Sequence, residues 1–259
     1  MSNKQNPFLR ATLVAIPLFI VAMVLIMSTT GTYAAKNKKR DAGSIVRLTP
    51  QNTYTLRGEI NADSATEAQK ALFKLVEIRG SSAYPLYLVL DSPGGSIMDG
   101  LDLINAIQSI PHLNTITIFA ASMASAIVEH LPGERLIAKR GTLMFHRAKG
   151  GVQGQFEDGE LESRLAFYKS VVRGMEQVNA DRMGKSLEVY KAAVVNELWL
   201  YGQQAVDYKA ADRIVAITCS QELRDSSIVV REAGFFSVIN VSYSGCPLLR
   251  NGTVVEEKK

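Results

Sequence analysis

Leu86-Tyr-Leu-Val-Leu-Asp-Ser-Pro-Gly-Gly-Ser96, followed by Ile97, Leu101, Ile104, Ile107 and Ile110 at helical spacing, decides the fold. The run Leu86 to Leu90 is continuously apolar, as in a strand buried on both faces. Asp91 to Ser96 has the composition of a tight turn. The apolar positions after it share one helix face, and Pro111 stops that helix. Thr115 to Phe119 then reads as a second buried strand. Strand, helix and strand with short connections imply parallel pairing and right-handed crossovers. The expected class is α/β, built of stacked βαβ units.

The same alternation extends in both directions. Upstream, Thr53 to Ile60 is a strand, and Ser64-Ala-Thr-Glu67 has the pattern of a capping box opening a helix that runs to about Arg79. Downstream, Leu143 to His146 is a strand. A long amphipathic helix follows from about Phe156 to Met183, with Leu161, Leu165, Tyr168, Val172 and Met175 on one face. A short helix from Leu187 to about Val195, another over Gln203 to Lys209 and a strand from Arg213 to Ile217 complete the body. The last forty or so residues are strand-like and irregular, with no role assigned.

The N-terminus is of a different kind. Lys4 and Arg10 precede an apolar run from Ala11 to about Met27, and small residues follow to Ala35. This describes a signal peptide, or a membrane anchor if it is not cleaved. Lys36-Asn-Lys-Lys-Arg40 places four positive side chains after the run, which argues for a cytoplasmic body by the positive-inside rule. Cys219 and Cys246 argue the other way, because a pair in one short tail can close a disulfide in an oxidising compartment. On balance the expected location is exported: periplasmic or membrane-anchored. The expected division is residues 1–42 as leader or anchor, 43–217 as the working domain and 218–259 as a tail.

Composition excludes some functions. Of 259 residues, 47% are hydrophobic and 21% charged, which suits a globular domain and not a disordered one. A net charge of +4 without a basic, aromatic-laced stripe gives no footprint for nucleic acid. No Gly-x-x-x-x-Gly-Lys-Ser/Thr loop for a nucleotide is present. The two cysteines do not have metal-ligand spacing, and no cofactor is called for.

Three separated pieces meet the needs of acyl transfer. Ala120-Ala-Ser-Met-Ala124 follows a buried strand with small residues. A serine at such a strand-to-helix turn exposes its hydroxyl beside amides that can stabilise an oxyanion. Ser92-Pro-Gly-Gly95 lets the backbone approach a ligand closely. His146 ends a strand, where functional residues of α/β folds collect. His112 and His130 have no such context. Ser122 is the candidate nucleophile and Ser125 the second candidate.

The order of these pieces, with a Gly-Gly turn, a serine about 27 residues on and a histidine about 24 further, resembles the Clp protease proteolytic subunit family. The resemblance rests on Ser92-Pro-Gly-Gly95, Ala120-Ala-Ser-Met123, Met144-Phe-His-Arg147 and Gly150-Gly-Val-Gln-Gly-Gln155. Gln203-Gln-Ala-Val-Asp-Tyr208 and Asp212-Arg-Ile-Val215 add to it, and it spans roughly residues 44 to 217. It implies a crotonase-like fold with a protruding long helix, and a Ser-His-acid endopeptidase of peptides or unfolded proteins. Ser122 would attack and His146 would act as base. The amides of Gly95 and Met123, with Gly94 in the same turn, would form the oxyanion hole. Glu197 stands where the family has an aspartate. The resemblance further implies homo-oligomeric stacked rings, and export would separate the enzyme from any ATP-driven unfoldase. Ile118-Phe before the elbow, Arg147-Ala after the histidine and Lys209 after Tyr208 depart from the family pattern. Other readings remain open. They are a Ser-Lys dyad using Lys139 or Lys149, an inactive peptide-binding scaffold, and an acyl-CoA enzyme on the same fold.

Overall fold

The computed structural model describes residues 44–150, 157–233 and 238–258. The expected leader or anchor, and most of the glycine-rich stretch at 150–155, lie outside the described residues. Among those described, no helix is long and apolar enough to cross a membrane.

A mainly parallel sheet organises the body. Its strands are β1 (Ile45–Leu48), β2 (Thr53–Ile60), β3 (Leu86–Gly95), β4 (Leu113–Ala121), β5 (Arg135–Phe145), β6 (Leu198–Tyr201) and β7 (Arg213–Cys219). The spatial order is β1-β7-β5-β4-β3-β2, with β6 antiparallel to the end of β5. The apolar run in β3 is buried throughout, and Leu86, Leu88, Val89 and Leu90 are inaccessible to solvent. Helices α1 (Ala62–Arg79), α2 (Ile97–Ile107), α3 (Met123–His130), α4 (Glu160–Arg182), α5 (Leu187–Ala193) and α6 (Gln203–Asp207) connect the strands. The chain is α/β, as the βαβ pattern requires.

Several local expectations change. Asp91 to Gly95 is not a turn but the end of β3, which stays paired with β2 as far as Gly95. The apolar face expected to carry α2 on to Ile110 ends at Ile107 as helix, and Ile110 is buried just beyond it. The cap of α1 is Asn61, not Ser64. Asn61 accepts from the Ser64 amide, and Ser64 Oγ accepts from the Asn61 amide, so the box is formed with serine at its third position. β5 begins at Arg135, well before the expected Leu143. It pairs with β7 over Leu136–Ala138 and with β6 over Thr142–Phe145, so one strand serves two neighbours in succession.

Helix α4 stands off the body. Only Asn179 and Ala180, in its last turn, are buried, while the apolar stripe of Leu161, Leu165, Tyr168, Val172 and Met175 is half-buried. Beneath its C-terminal end lies a buried ion network. Arg135 donates to Glu129 (2.5 Å) and to Asp212 (2.7 Å), and Arg182 donates to the carbonyls of Leu131 and Gly133. Burial pushes the Glu129 carboxyl up to about 8 against the pull of Arg135. Burial also raises Asp212, but bonds from the side chain and backbone of Arg135 outweigh it and hold that carboxyl below its ordinary value.

The irregular tail folds as a second sheet. After α7 (Gln221–Asp225), strands β8 (Ser227–Ala233), β9 (Val238–Ser244) and β10 (Thr253–Lys258) form an antiparallel sheet in the order β10-β9-β8. Cys219, at the end of β7, is bonded to Cys246, with the Cα atoms 5.9 Å apart.

Candidate active site

Ser122 sits between the end of β4 and the start of α3 with φ 55° and ψ −122°. A non-glycine residue in this region costs on the order of 1–3 kcal/mol, and it is held only where the surroundings over-determine it. Here a single carbonyl does much of the holding. Met144 O accepts from the Ser122 amide (2.9 Å) and lies 2.7 Å from Ser125 Oγ, which also reaches Ser122 O at 2.7 Å. Ala121 is in register with Met144, so the elbow lies beside the strand end that leads into His146. Ser122 and His146 line one small cavity of about 50 Å³, together with Phe145, Met175, Asn179 and Tyr190. The structure therefore brings the two together. It gives Ser125 a different part, because that residue is buried and its hydroxyl is committed to the elbow.

The glycine pair lies against this elbow. Gly94 has φ 94°, and a Cβ there would come within 2.5 Å of Ala121 O, 2.7 Å of Ser122 Cβ and 2.9 Å of Met123 N. At Gly95 (φ 151°) a Cβ would lie 2.1 Å from Ile60 O. Only glycine permits either approach. The Gly94 amide donates to Ser92 Oγ (3.1 Å), and the last bond to β2 comes from Ser96 to Ile60 O (2.8 Å), not from Gly95. Met123 is the first residue of α3, and its amide is one of those a helix leaves without an internal acceptor. Its side chain is buried against α2, where a Cβ on Gly100 would meet Met123 Cγ at 2.4 Å.

The acid is placed differently. Glu197, at φ 67°, accepts from Trp199 Nε1 (3.0 Å), and its other oxygen lies 3.9 Å from Lys149 Nζ. It makes no hydrogen bond to His146, and the buried Nδ1 of His146 has no partner among the described residues. The structure does not bring Glu197 onto the histidine. Neither lysine of the Ser-Lys reading lines the cavity of Ser122. Lys139 lies in mid-β5, five residues before Met144, and Lys149 is largely exposed beside Glu197. His130 bonds the Ala126 carbonyl within α3 (2.8 Å) and has no part in the site.

Sequence reasoning missed the floor of the cavity. Phe145 meets Tyr190 edge-on with ring centroids 6.4 Å apart, and Asn179 Nδ2 donates to Tyr190 Oη (2.9 Å). Burial pushes the Tyr190 hydroxyl well above its ordinary value, with the Asn179 bond pulling the other way, so it stays protonated. These contacts pack α4 and α5 against the strand end that carries His146. Asn179 is a polar residue in a helix that reads as amphipathic, and no local pattern marks its partner eleven residues away.

Comparison with known proteins identifies the family. The sequence profile described as Clp protease matches residues 36–218. The ATP-dependent Clp protease proteolytic subunit 1 of Prochlorococcus marinus subsp. pastoris is 29% identical over 136 residues, covering 50% of this chain and 67% of that protein. The ATP-dependent Clp protease proteolytic subunit 1 of Leifsonia xyli subsp. xyli is 26% identical over 194 residues, covering 73% of this chain and 90% of the relative. With its serine elbow, strand-end histidine and mainly parallel sheet inside the matched region, the chain belongs to the Clp protease family of serine peptidases.

Proposed function

We propose that the chain is a serine endopeptidase that cleaves peptides and unfolded polypeptides with Ser122 as nucleophile and His146 as its base. One observation carries this reading: the positive-φ serine elbow is bonded through Met144 O to the strand end that bears His146, with Gly94 packed against it. Ser122 Oγ attacks the scissile carbonyl carbon, and its proton passes to His146. The oxyanion so formed takes hydrogen bonds from the amides of Gly95 and Met123, each worth about 3 kcal/mol. His146 returns the proton to the leaving nitrogen, the C–N bond breaks, and water attacks the resulting ester by the same route. Glu197 completes the triad by leaving Trp199 and accepting from Nδ1 of His146, the buried nitrogen that lacks a partner among the described residues.

The half-buried apolar stripe of α4 is the surface through which copies of the chain assemble into rings. The Cys219–Cys246 bond supports an oxidising location, exported and held at the membrane if the N-terminal segment is retained. The names of the relatives describe ATP-dependent proteases. Outside the cytosol this chain works without an ATPase, on substrates that are already unfolded.

Labelling of the assembled protein with a fluorophosphonate tests the chemistry. Wild type and Ser125→Ala are expected to label, while Ser122→Ala and His146→Ala lose labelling. Labelling that survives Ser122→Ala, or an unlabelled wild type of correct assembly, overturns the proposal.

A further inference from the structure

A second and much larger depression is lined by the glycine pair but not by Ser122 or His146. It encloses about 620 Å³, within the range of about 300–1,000 Å³ usual for ligand clefts. Its floor is Arg57, Asp91, Gly94 and Gly95 of the body, and its far wall is Tyr243 and Arg250 of the tail. The matched family region ends at residue 218, so this wall is made by residues outside it. The wall is fixed at several points. The disulfide ties Cys246 to β7, Arg57 Nη2 donates to Pro247 O (3.1 Å), and Arg57 lies 4.6 Å from the centre of the Tyr243 ring. Val230 packs so closely on Gly58 that a Cβ there would meet it at 2.7 Å.

The charges in the cleft are unevenly answered. Asp91 is one buried carboxylate between two guanidiniums, with Arg57 Nε at 3.0 Å and Arg250 Nη2 at 2.5 Å. Arg57 is buried, yet its Nη1 has no partner among the described residues. Arg231, also on the wall, is paired with Asp63. Of the remaining carboxylates, Glu232 accepts from the Tyr243 hydroxyl and Glu59 is exposed. At the Asp91 floor itself two guanidiniums therefore face one carboxylate, beside the glycine pair that backs the nucleophile, while Glu59 and Glu232 balance the charge of the cleft as a whole.

We propose that this cleft is a specificity subsite that takes an acidic side chain of the peptide within a few residues of the scissile bond, with Arg250 and Arg57 as its ligands. The inference rests on the peptidase reading for its substrate and on the tail for its selectivity. The cavity of about 50 Å³ at Ser122 and His146 has room for little more than one side chain, whereas the cleft beside Gly94 can hold an extended segment. A carboxylate there answers the second guanidinium, which Asp91 serves only in part.

Binding is measured on the full-length, oxidised Ser122→Ala protein by fluorescence anisotropy. The peptides are identical except for Glu, Gln or Lys at each position within four residues of the central bond. At one position Glu is expected to bind about tenfold tighter than Gln, as for a hydrogen-bonded charge pair, and Lys more weakly than either. Adding Arg250→Ala removes the preference, and Arg250→Lys retains part of it, with thermal melts showing both variants folded. Equal binding of Glu and Gln peptides overturns the proposal, and so does a preference that survives Arg250→Ala. Fluorophosphonate labelling of wild type is scored separately, so loss of selectivity and loss of the serine chemistry are distinct results.

Discussion

Replacing Gly94 by alanine tests the geometry of the site more sharply than removing the nucleophile. The new methyl group would lie 2.5 Å from Ala121 O and 2.9 Å from Met123 N, and reaching ordinary contact requires the end of β3 and the elbow to part by about 1 Å. An alanine at φ 94° adds about 1–2 kcal/mol of backbone strain. That loss is tolerable against a typical stability of about 5–15 kcal/mol, so the variant is expected to fold. The chemistry is less tolerant. Moving one donor of the oxyanion site costs about 10²–10³-fold in rate, and a misplacement of about 1 Å near reacting groups costs about 10²-fold. The expected result is kcat lower by about 10²–10³-fold on a fluorogenic peptide, with KM little changed and the melting curve still cooperative. Gly80→Ala is the control. It also has positive φ (56°), but nothing lies within 4 Å of its Cβ, so it should lose about 1 kcal/mol of stability and no activity. A folded Gly94→Ala enzyme with wild-type kcat would refute the placement of the oxyanion site between the glycine pair and the elbow.

Arg135→Met leaves the buried Glu129, protonated at neutral pH, without its hydrogen-bond partner and should cost about 1–3 kcal/mol in denaturant unfolding at pH 6. Without Arg135 the Glu129 carboxyl rises further above about 8. A carboxyl raised on folding gives stability that is present below its unfolded value and lost as pH rises through its folded value, so the deficit should grow from pH 6 to pH 9. A deficit that stays constant over that range would show that losing Arg135 does not raise the Glu129 carboxyl. Reducing the Cys219–Cys246 bond should lower stability by about 3–4 kcal/mol, as for a loop of this length, without changing the rate of fluorophosphonate labelling. An unchanged melting temperature in reductant would count against the bond as a structural tie.

The parts of the site legible in sequence were those written in local pattern. The apolar run of β3, the glycine pair and the serine between small residues each carry their own signal, and the order of the three fixes the family. What stayed hidden depends on partners distant in the chain. Asp91 to Gly95 has turn composition, yet it stays in the sheet because β2 pairs with it as far as Gly95. Ser125 and Ser122 look alike on paper, and only the carbonyl of Met144, nineteen residues on, commits Ser125 to bracing the elbow. Glu197 matched a position but not a contact, since its carboxylate is taken by Trp199 two residues away. The tail was opaque because its short strands pair with one another and draw their anchorage from a disulfide and from contacts of Arg57, Gly58 and Asp91, all distant in the chain.

The pairing of β1 with β7 has a consequence for how this protein comes into being. Ile45 sits beside Ala216, so the first strand of the body finds its place only after nearly all of the domain has been synthesised. Closing so long a span is entropically slow, and Val46 and Leu48 remain uncovered until it happens. A nascent chain therefore carries its earliest apolar strand unpaired through most of translation. β1 is then a late-docking closure, and a ribosome that stalls before residue 213 leaves β5 without the neighbour that β7 provides.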